Sequence, residues 1–301
     1  MIINLISNLD ETAKIDRLYT FNHVVAWSLR EAFSERGVTC RLIRDRLMEE
    51  GELPMADHSI VISGIGMKLV RNNELCRGRL RAATRGKTTL YLDSDFGGWW
   101  KFFDCIFTVV KPLRKEPQYA YAGWGSNPKF FYPEQEEKAL FIDSLMYNKY
   151  EGRFNEIYDT YKKTLKIPER TLASGDPLVQ IVSNPNIKVY MPTPTYDKRH
   201  HLIFWPQMQE ILRKCHFYCC TQLGESGLTR IEAATCGTLL VVPEELYRPR
   251  TMGSLEHKIW STKEELVNIL SADTDIKAIR KRALEHSWSK TAGRILDALM
   301  V

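Results

Sequence analysis

Apolar and polar positions follow one another along this chain in two rhythms, short unbroken apolar runs and longer stretches with a 3.6-residue period. Ile2–Ile6 is the first run and reads as a buried strand. Thr20–Arg36 carries apolar residues at helical spacing and stops at Gly37, a residue suited to a left-handed helix cap. Val38–Ile43, His58–Ser63, Thr88–Leu92 and Cys105–Val110 are further apolar runs of strand length. Tyr119–Pro133 (YAYAGWGSNPKFFYP) keeps neither rhythm and is rich in Gly, Pro and aromatics, so it is expected to connect two domains. Alternation then resumes, with strands expected at Ala139–Ile142, Leu178–Ser183, Ile187–Met191, His216–Cys220 and Leu239–Val242. Helices are expected at Arg153–Leu165, Phe204–Lys214, Leu228–Cys236, Thr262–Leu270, Asp275–Glu285 and Thr291–Met300. Thr262, with Glu265 three places on, is a capping box.

Strands separated by helices imply parallel pairing, because a parallel neighbour is reached only by a crossover. The fold class expected is α/β, with two Rossmann-like, doubly wound domains facing each other across a cleft. With 301 residues the chain can supply two modest cores. We place the first domain at 1–133, the second at 134–285, and a terminal helix at 286–301 that could cross back to the first. In such sheets ligands bind beyond the carboxyl ends of strands, where Asp10, Ser63–Gly66 and Asp93–Gly98 fall.

The stretch His216–Val242 (HFYCCTQLGESGLTRIEAATCGTLLVV) carries the clearest chemistry. A buried strand runs into a loop holding Glu225, Ser226 and Gly227, then a helix holding Glu232 that ends at Gly237, then a second buried strand. That arrangement puts a carboxylate at a strand end beside the free N–H groups of a helix start. A helix start is a seat for a diphosphate. Carboxylates nearby can accept from sugar or ribose hydroxyls.

These residues resemble the donor-site motif of the GT-B glycosyltransferases, E-x-FG-LxxxEAxxxGxPVV. The resemblance implies that Glu225 approaches the donor sugar, that Gly227, Leu228 and Thr229 hold the diphosphate through their amides, and that Glu232 binds the ribose. Six residues rather than seven separate the two glutamates here. The tail Leu284–Leu299 (LEHSWSKTAGRILDAL) is similar to the closing SW-x-x-x-A-x-x-x-L helix of the same enzymes. Together the two cover most of 185–301, and the first domain matches in architecture only. The implied activity is transfer of a sugar from a nucleotide-diphosphate sugar such as UDP-glucose to an acceptor hydroxyl, with no tightly bound cofactor and no metal.

Further site residues follow from the same reading. Lys149 and Arg153 lie where the family often sets a basic pair against the diphosphate, and Pro192, in Tyr190–Pro194 (YMPTP), lies where its base-binding loop would be. Asp95 is the expected general base for an inverting reaction, and a retaining one would need none. Asp93 and Trp99 are expected on the acceptor side. His23, His200 and His201 have no partners at metal spacing and are expected to be structural or exposed.

Composition and charge bear on compartment and acceptor. The seven cysteines form no CxxC pair, which suits free thiols in a reducing compartment. The amino-terminal residues show no basic leader and no apolar run is long enough for a membrane span, so a cytoplasmic protein is expected, in the host cytoplasm if the chain is viral. The net charge is +5, yet Met67–Lys87 holds seven basic residues against one acid. Arg77, Arg79 and Arg81 in that stripe are expected to grip the phosphates of an anionic acceptor. A compact build, an aspartate at a strand end and the LTRIE helix resemble phage DNA glucosyltransferases, which implies duplex DNA with hydroxymethylated pyrimidines as the acceptor. Transfer to a cell-surface or lipid-linked glycan is the alternative, and a nucleotide-sugar or nucleic-acid binding module without catalysis is a second.

Overall fold

The computed structural model describes residues 1–15, 18, 21–62, 65–92, 101–109, 118–135, 139–142, 188–190, 205–220, 227–244, 247 and 254–301. The helix expected at 153–165 and the strand at 178–183 lie outside the described residues. The chain divides into two compact units. Unit 1 comprises Met1–Asn127, Phe204–Pro206 and His286–Val301, and unit 2 comprises Pro128–Ile203 and Gln207–Glu285.

In unit 1 the elements are β1 (Ile2–Ser7), α1 (Phe21–Ser34), β2 (Thr39–Arg44), α2 (Leu47–Glu50), β3 (His58–Ile62), α3 (Ile65–Asn72), α4 (Glu74–Ala82), β4 (Thr88–Leu92), β5 (Cys105–Thr108) and β6 (Tyr119–Tyr121). The six strands form one sheet in the order β2-β1-β3-β4-β5-β6, parallel at each pairing. β4 and β5 are buried along their whole length, which is why they read as unbroken apolar runs rather than alternating ones. Ile6, Val61, Leu90, Leu92 and Ile106 pack with Val70, Cys76 and Leu80 of α3 and α4 in one core. α1 ends at Gly37, whose φ of 71° supplies the left-handed cap expected there.

The basic stretch after β3 is a pair of helices, broken where Asn73 accepts from the N–H groups of Leu75 and Cys76. The segment expected to be wholly irregular begins instead with a strand. Tyr119–Tyr121 adds to the sheet edge in register with Ile106–Thr108, a pairing that three residues cannot announce by periodicity.

Unit 2 holds β7 (Ala139–Ile142), β8 (Lys188–Tyr190), α5 (Trp205–Lys214), β9 (Phe217–Cys219), α6 (Leu228–Thr235), β10 (Leu239–Pro243), β11 (His257–Trp260), α7 (Lys263–Ser271) and α8 (Ile276–Ala283), with α5 taking its first residues from unit 1. Its sheet runs β11-β10-β9-β7-β8, again parallel. Counted within each unit, the first five strands have the same order, second-first-third-fourth-fifth. The expected capping box forms: Thr262 accepts from the Glu265 N–H, and Glu265 accepts from the Thr262 N–H.

The last helix, α9 (Trp288–Met300), belongs to unit 1 and starts three residues before the expected Thr291, capped by Ser287. Its seat is the glycine-rich stretch after β6. The Trp124 ring meets Tyr91 edge-on at 5.6 Å and Trp288 at 6.3 Å. Arg294 donates through Nε to the Ala122 carbonyl at 2.6 Å. Ser126 donates its N–H to His286 and accepts from the Trp288 N–H through its carbonyl. Gly125 makes this pairing possible, since a Cβ there would lie 2.3 Å from the Trp288 nitrogen. Gly125→Ala is therefore expected to lower the stability of unit 1 by several kcal/mol, beyond the ~1–3 kcal/mol of ordinary overpacking. A urea midpoint unchanged from wild type would contradict this packing.

Buried His23 and half-buried His58 of unit 1 add a pH dependence. Burial pushes the pKa of His23 down, and burial is also the largest cause at His58, whose Nδ1 accepts from the Lys87 N–H. Both folded values lie below 6.5, so their contribution is complete above pH ~6.5 and is lost as pH falls below it, when the unfolded chain takes up protons first. Urea midpoints should fall between pH 7 and 5.5, less so in His58→Gln. A flat profile over that window would refute the account.

Candidate functional site

Parallel crossovers are right-handed, so helices leaving a central strand in opposite directions along the sheet cover opposite faces. In unit 2 the chain passes from β7 to β8 on one side, then returns to β9, β10 and β11 on the other. The carboxyl ends of β7 and β9 therefore flank the point where the order reverses, the place where open α/β sheets bind their ligands. β9 ends at Cys219, and α6 begins at Leu228. The helix carrying the sequence motif thus leaves the sheet at this switch point.

The start of α6 carries no side-chain cap. Its N-cap is Gly227, with φ −140° and ψ 48°, which has no side chain to accept from the first-turn N–H groups. The first-turn N–H groups of a helix have no partner within the helix, and its amino end carries the positive end of the dipole. Asn73, Thr262, Asp275 and Ser287 cap α4, α7, α8 and α9 with a side-chain oxygen, whereas Arg46 at α2, like Gly227, makes no side-chain cap. Glu232 lies on the second turn and is 3% exposed, with Arg230 at 5%. Burial pushes the Cys236 thiol up, and the charge of Glu232 pushes it further. The sulfur is therefore a protonated, inert part of the support.

The other end of α6 is closed by a left-handed turn. Gly237 has φ +81°, its N–H donates to Ala234, and the Thr238 N–H donates to Ala233. A Cβ on Gly237 would lie 2.4 Å from Cγ2 of Ile276, the first residue of α8.

The structure brings Gly227, Leu228, Thr229 and Glu232 together on α6. Asp93, Asp95, Trp99, Lys149, Arg153, Pro192, Glu225 and Ser226 lie outside the described residues. On α4, Arg77 and Arg79 have structural partners. Arg77 donates through Nη1 to the carbonyls of Val70 and Arg71 at 3.2 and 3.0 Å, closing α3, and lies over the Phe102 ring. Arg79 donates through Nη1 to the carbonyls of Met48 and Glu49, closing α2. Arg81 is exposed. His23, expected to be structural or exposed, is buried in the first turn of α1. Sequence reasoning also passed over Arg280 and Gln135, which meet α6 from positions distant in the chain and leave no local signal. Among the described residues no group of three His, Cys, Asp or Glu could hold a metal ion. None of the helices described is long and apolar enough to cross a membrane.

No family model and no curated protein matches the chain. Solved structures do. AviGT4, a glycosyltransferase of avilamycin A biosynthesis, aligns over 99% of this chain and 97% of its own with a TM-score of 0.59 at 12% identity. HepE from Anabaena, in complex with UDP and glucose, aligns over 99% of both chains at a TM-score of 0.56 and 9% identity. Sucrose-phosphate synthase from Thermosynechococcus elongatus covers 98% of this chain and 97% of its own, at 0.54 and 15%. The fold is that of the GT-B glycosyltransferases. Both strand orders and the switch point of unit 2 are thereby parts of a GT-B architecture.

Gly237→Ala should disturb the GT-B helix from its base. A left-handed conformation costs a non-glycine residue ~1–2 kcal/mol, and the contact with Ile276 adds to that. The expected result is a lowered unfolding midpoint, and a midpoint equal to wild type would show that the turn has another conformation.

Proposed function

We propose that this chain is a glycosyltransferase that takes its sugar from a nucleoside-diphosphate sugar, with the diphosphate seated on the start of α6. The observation that carries the reading is the start of α6, with no side-chain cap from its N-cap glycine, at the switch point of unit 2, with Glu232 buried on the second turn of the same helix. Backbone amides of Gly227, Leu228 and Thr229 donate to the diphosphate, and Glu232 accepts from the ribose hydroxyls. Glu225 accepts from the donor sugar, Ser226 completes the loop, and Pro192 flanks the base. Lys149 and Arg153 neutralise the charge that develops on the leaving diphosphate. HepE in complex with UDP and glucose, and the catalytic domain of starch synthase IV bound to ADP and acarbose, support a nucleotide-sugar donor.

In the reaction, the acceptor hydroxyl oxygen bonds to the anomeric carbon as the bond from that carbon to the diphosphate oxygen breaks. The nucleoside diphosphate leaves with the bonding pair. In an inverting course Asp95 takes the hydroxyl proton, with Asp93 and Trp99 lining the acceptor.

For the acceptor, our reading is the hydroxymethyl group of a modified pyrimidine in duplex DNA, of the kind found in phage. A base flipped from the duplex would meet the reacting carbon. Lys68, Arg71, Arg81 and Arg85 are exposed and suit phosphate contacts. With Arg77 and Arg79 donating to helix ends, that footprint is narrower than the charge count alone suggests.

One experiment separates the readings. The protein is incubated with labelled UDP-glucose and other sugar nucleotides, with DNA containing 5-hydroxymethylcytosine or 5-hydroxymethyluracil, with unmodified DNA, and with lipid-linked glycans. Label on hydroxymethylated DNA alone supports the full reading. Label on glycans keeps the transferase and removes the DNA acceptor, and no transfer from any donor leaves a binding module. Glu232→Ala should reduce turnover at least ~100-fold with the fold intact, as expected when a buried partner of the nucleotide is lost.

A further inference from the structure

The backbone of α6 is fully partnered at its carboxyl end, and the last partners come from far along the chain. The carbonyls of Glu232, Ala233 and Ala234 accept from N–H groups of Cys236, Gly237 and Thr238. The Thr235 carbonyl accepts from Nη1 of Arg280, on α8. The same Nη1 donates to the Phe131 carbonyl at 2.8 Å. The Cys236 carbonyl accepts from Nε2 of Gln135 at 3.2 Å, and that nitrogen also donates to the Cys215 carbonyl, just before β9, at 2.8 Å.

One guanidinium and one amide therefore tie the foot of α6 to the segment that opens unit 2 and to the strand that leads into the switch point. Arg213 holds the same segment from α5, donating through Nε to the Phe130 carbonyl at 2.8 Å and lying 4.1 Å from the Tyr132 ring centre. The cation of Arg280 also stands at the negative end of the helix dipole, complementing the anion expected at the other end.

We propose that Arg280 and Gln135 are positioning residues for the diphosphate site, acting through α6 and not on the ligand. This rests on the donor-site reading above. An eight-residue helix moves as a rod, so a shift at its foot is carried to the amides at its head. Those amides must meet phosphate oxygens within tenths of an ångström to keep their hydrogen bonds. Without Arg280, the Thr235 and Phe131 carbonyls would each lose a partner, and α6 would be free to settle in a different place against the 128–135 segment.

The test is calorimetric binding of UDP, ADP and GDP to wild type, Arg280→Met, Arg280→Lys, Gln135→Leu and Leu266→Ala, each well below its unfolding temperature. Leu266 is a fully buried residue of α7, remote from the site in sequence, and serves as a destabilised control. The expected result is nucleotide Kd raised at least ~5-fold in Arg280→Met and Gln135→Leu, partly restored in Arg280→Lys, and unchanged in Leu266→Ala despite its lower Tm. Wild-type affinity in both Arg280→Met and Gln135→Leu, with lowered Tm, would overturn the proposal and leave these side chains purely structural. Should Arg280→Met not fold, Gln135→Leu decides alone. Wild type binding none of the three nucleotides would overturn the donor-site reading itself, a separate outcome visible before any variant is compared.

Discussion

Right-handed parallel crossover is the constraint on which the rest of this structure depends. Once a strand pairs on both sides with strands reached by crossovers, the helices on its two sides must take opposite faces of the sheet. β1 in unit 1 and β7 in unit 2 are such strands, and the five-strand order is the same around each. The switch point at the carboxyl ends of β7 and β9 is therefore a consequence of topology before any side chain is considered. A ligand site needs only suitable groups brought to that place, and α6 is the next described element after β9.

The helix that follows is built to be asymmetric. At its start, glycine stands where the caps of α4, α7, α8 and α9 use a side-chain oxygen, so no side chain of the N-cap residue accepts from the first turn. At its end, each of the last carbonyls finds a donor, through the Gly237 turn, Arg280 and Gln135. Burial of nearly the whole helix then holds it in place. Glu232, on the second turn, is buried with it.

Much of this was legible in the sequence, for reasons that differ by residue. Gly37, Gly237 and the Thr262–Glu265 box act on backbone a few positions away, so their spacing reveals them. The Gly227–Glu232 stretch was legible because its helix start, carboxylate and flanking buried strands fall within one short window. Arg79 was read as a phosphate contact because its true acceptors, the Met48 and Glu49 carbonyls, lie thirty residues back and leave no trace in local pattern. β6 escaped for a related reason, since three residues are too few to show a period and only the register with β5 makes them a strand. For His23 the structural alternative holds, since it is buried in the first turn of α1.

The same distinction explains where glycine matters. Gly125 and Gly237 are each defined by what a Cβ would strike, the Trp288 backbone in one case and Ile276 in the other. Both contacts join segments more than thirty residues apart, so in sequence each glycine looks like an ordinary turn residue. In the fold, Gly125 lets the Ser-Trp start of α9 lie against the stretch after β6, and the Trp124 ring then fills the space between Tyr91 and Trp288. The closing Ser-Trp helix is thus held in unit 1 by a backbone pairing first and by aromatic packing second. Its sequence signature marks a docking surface for Gly123–Ser126.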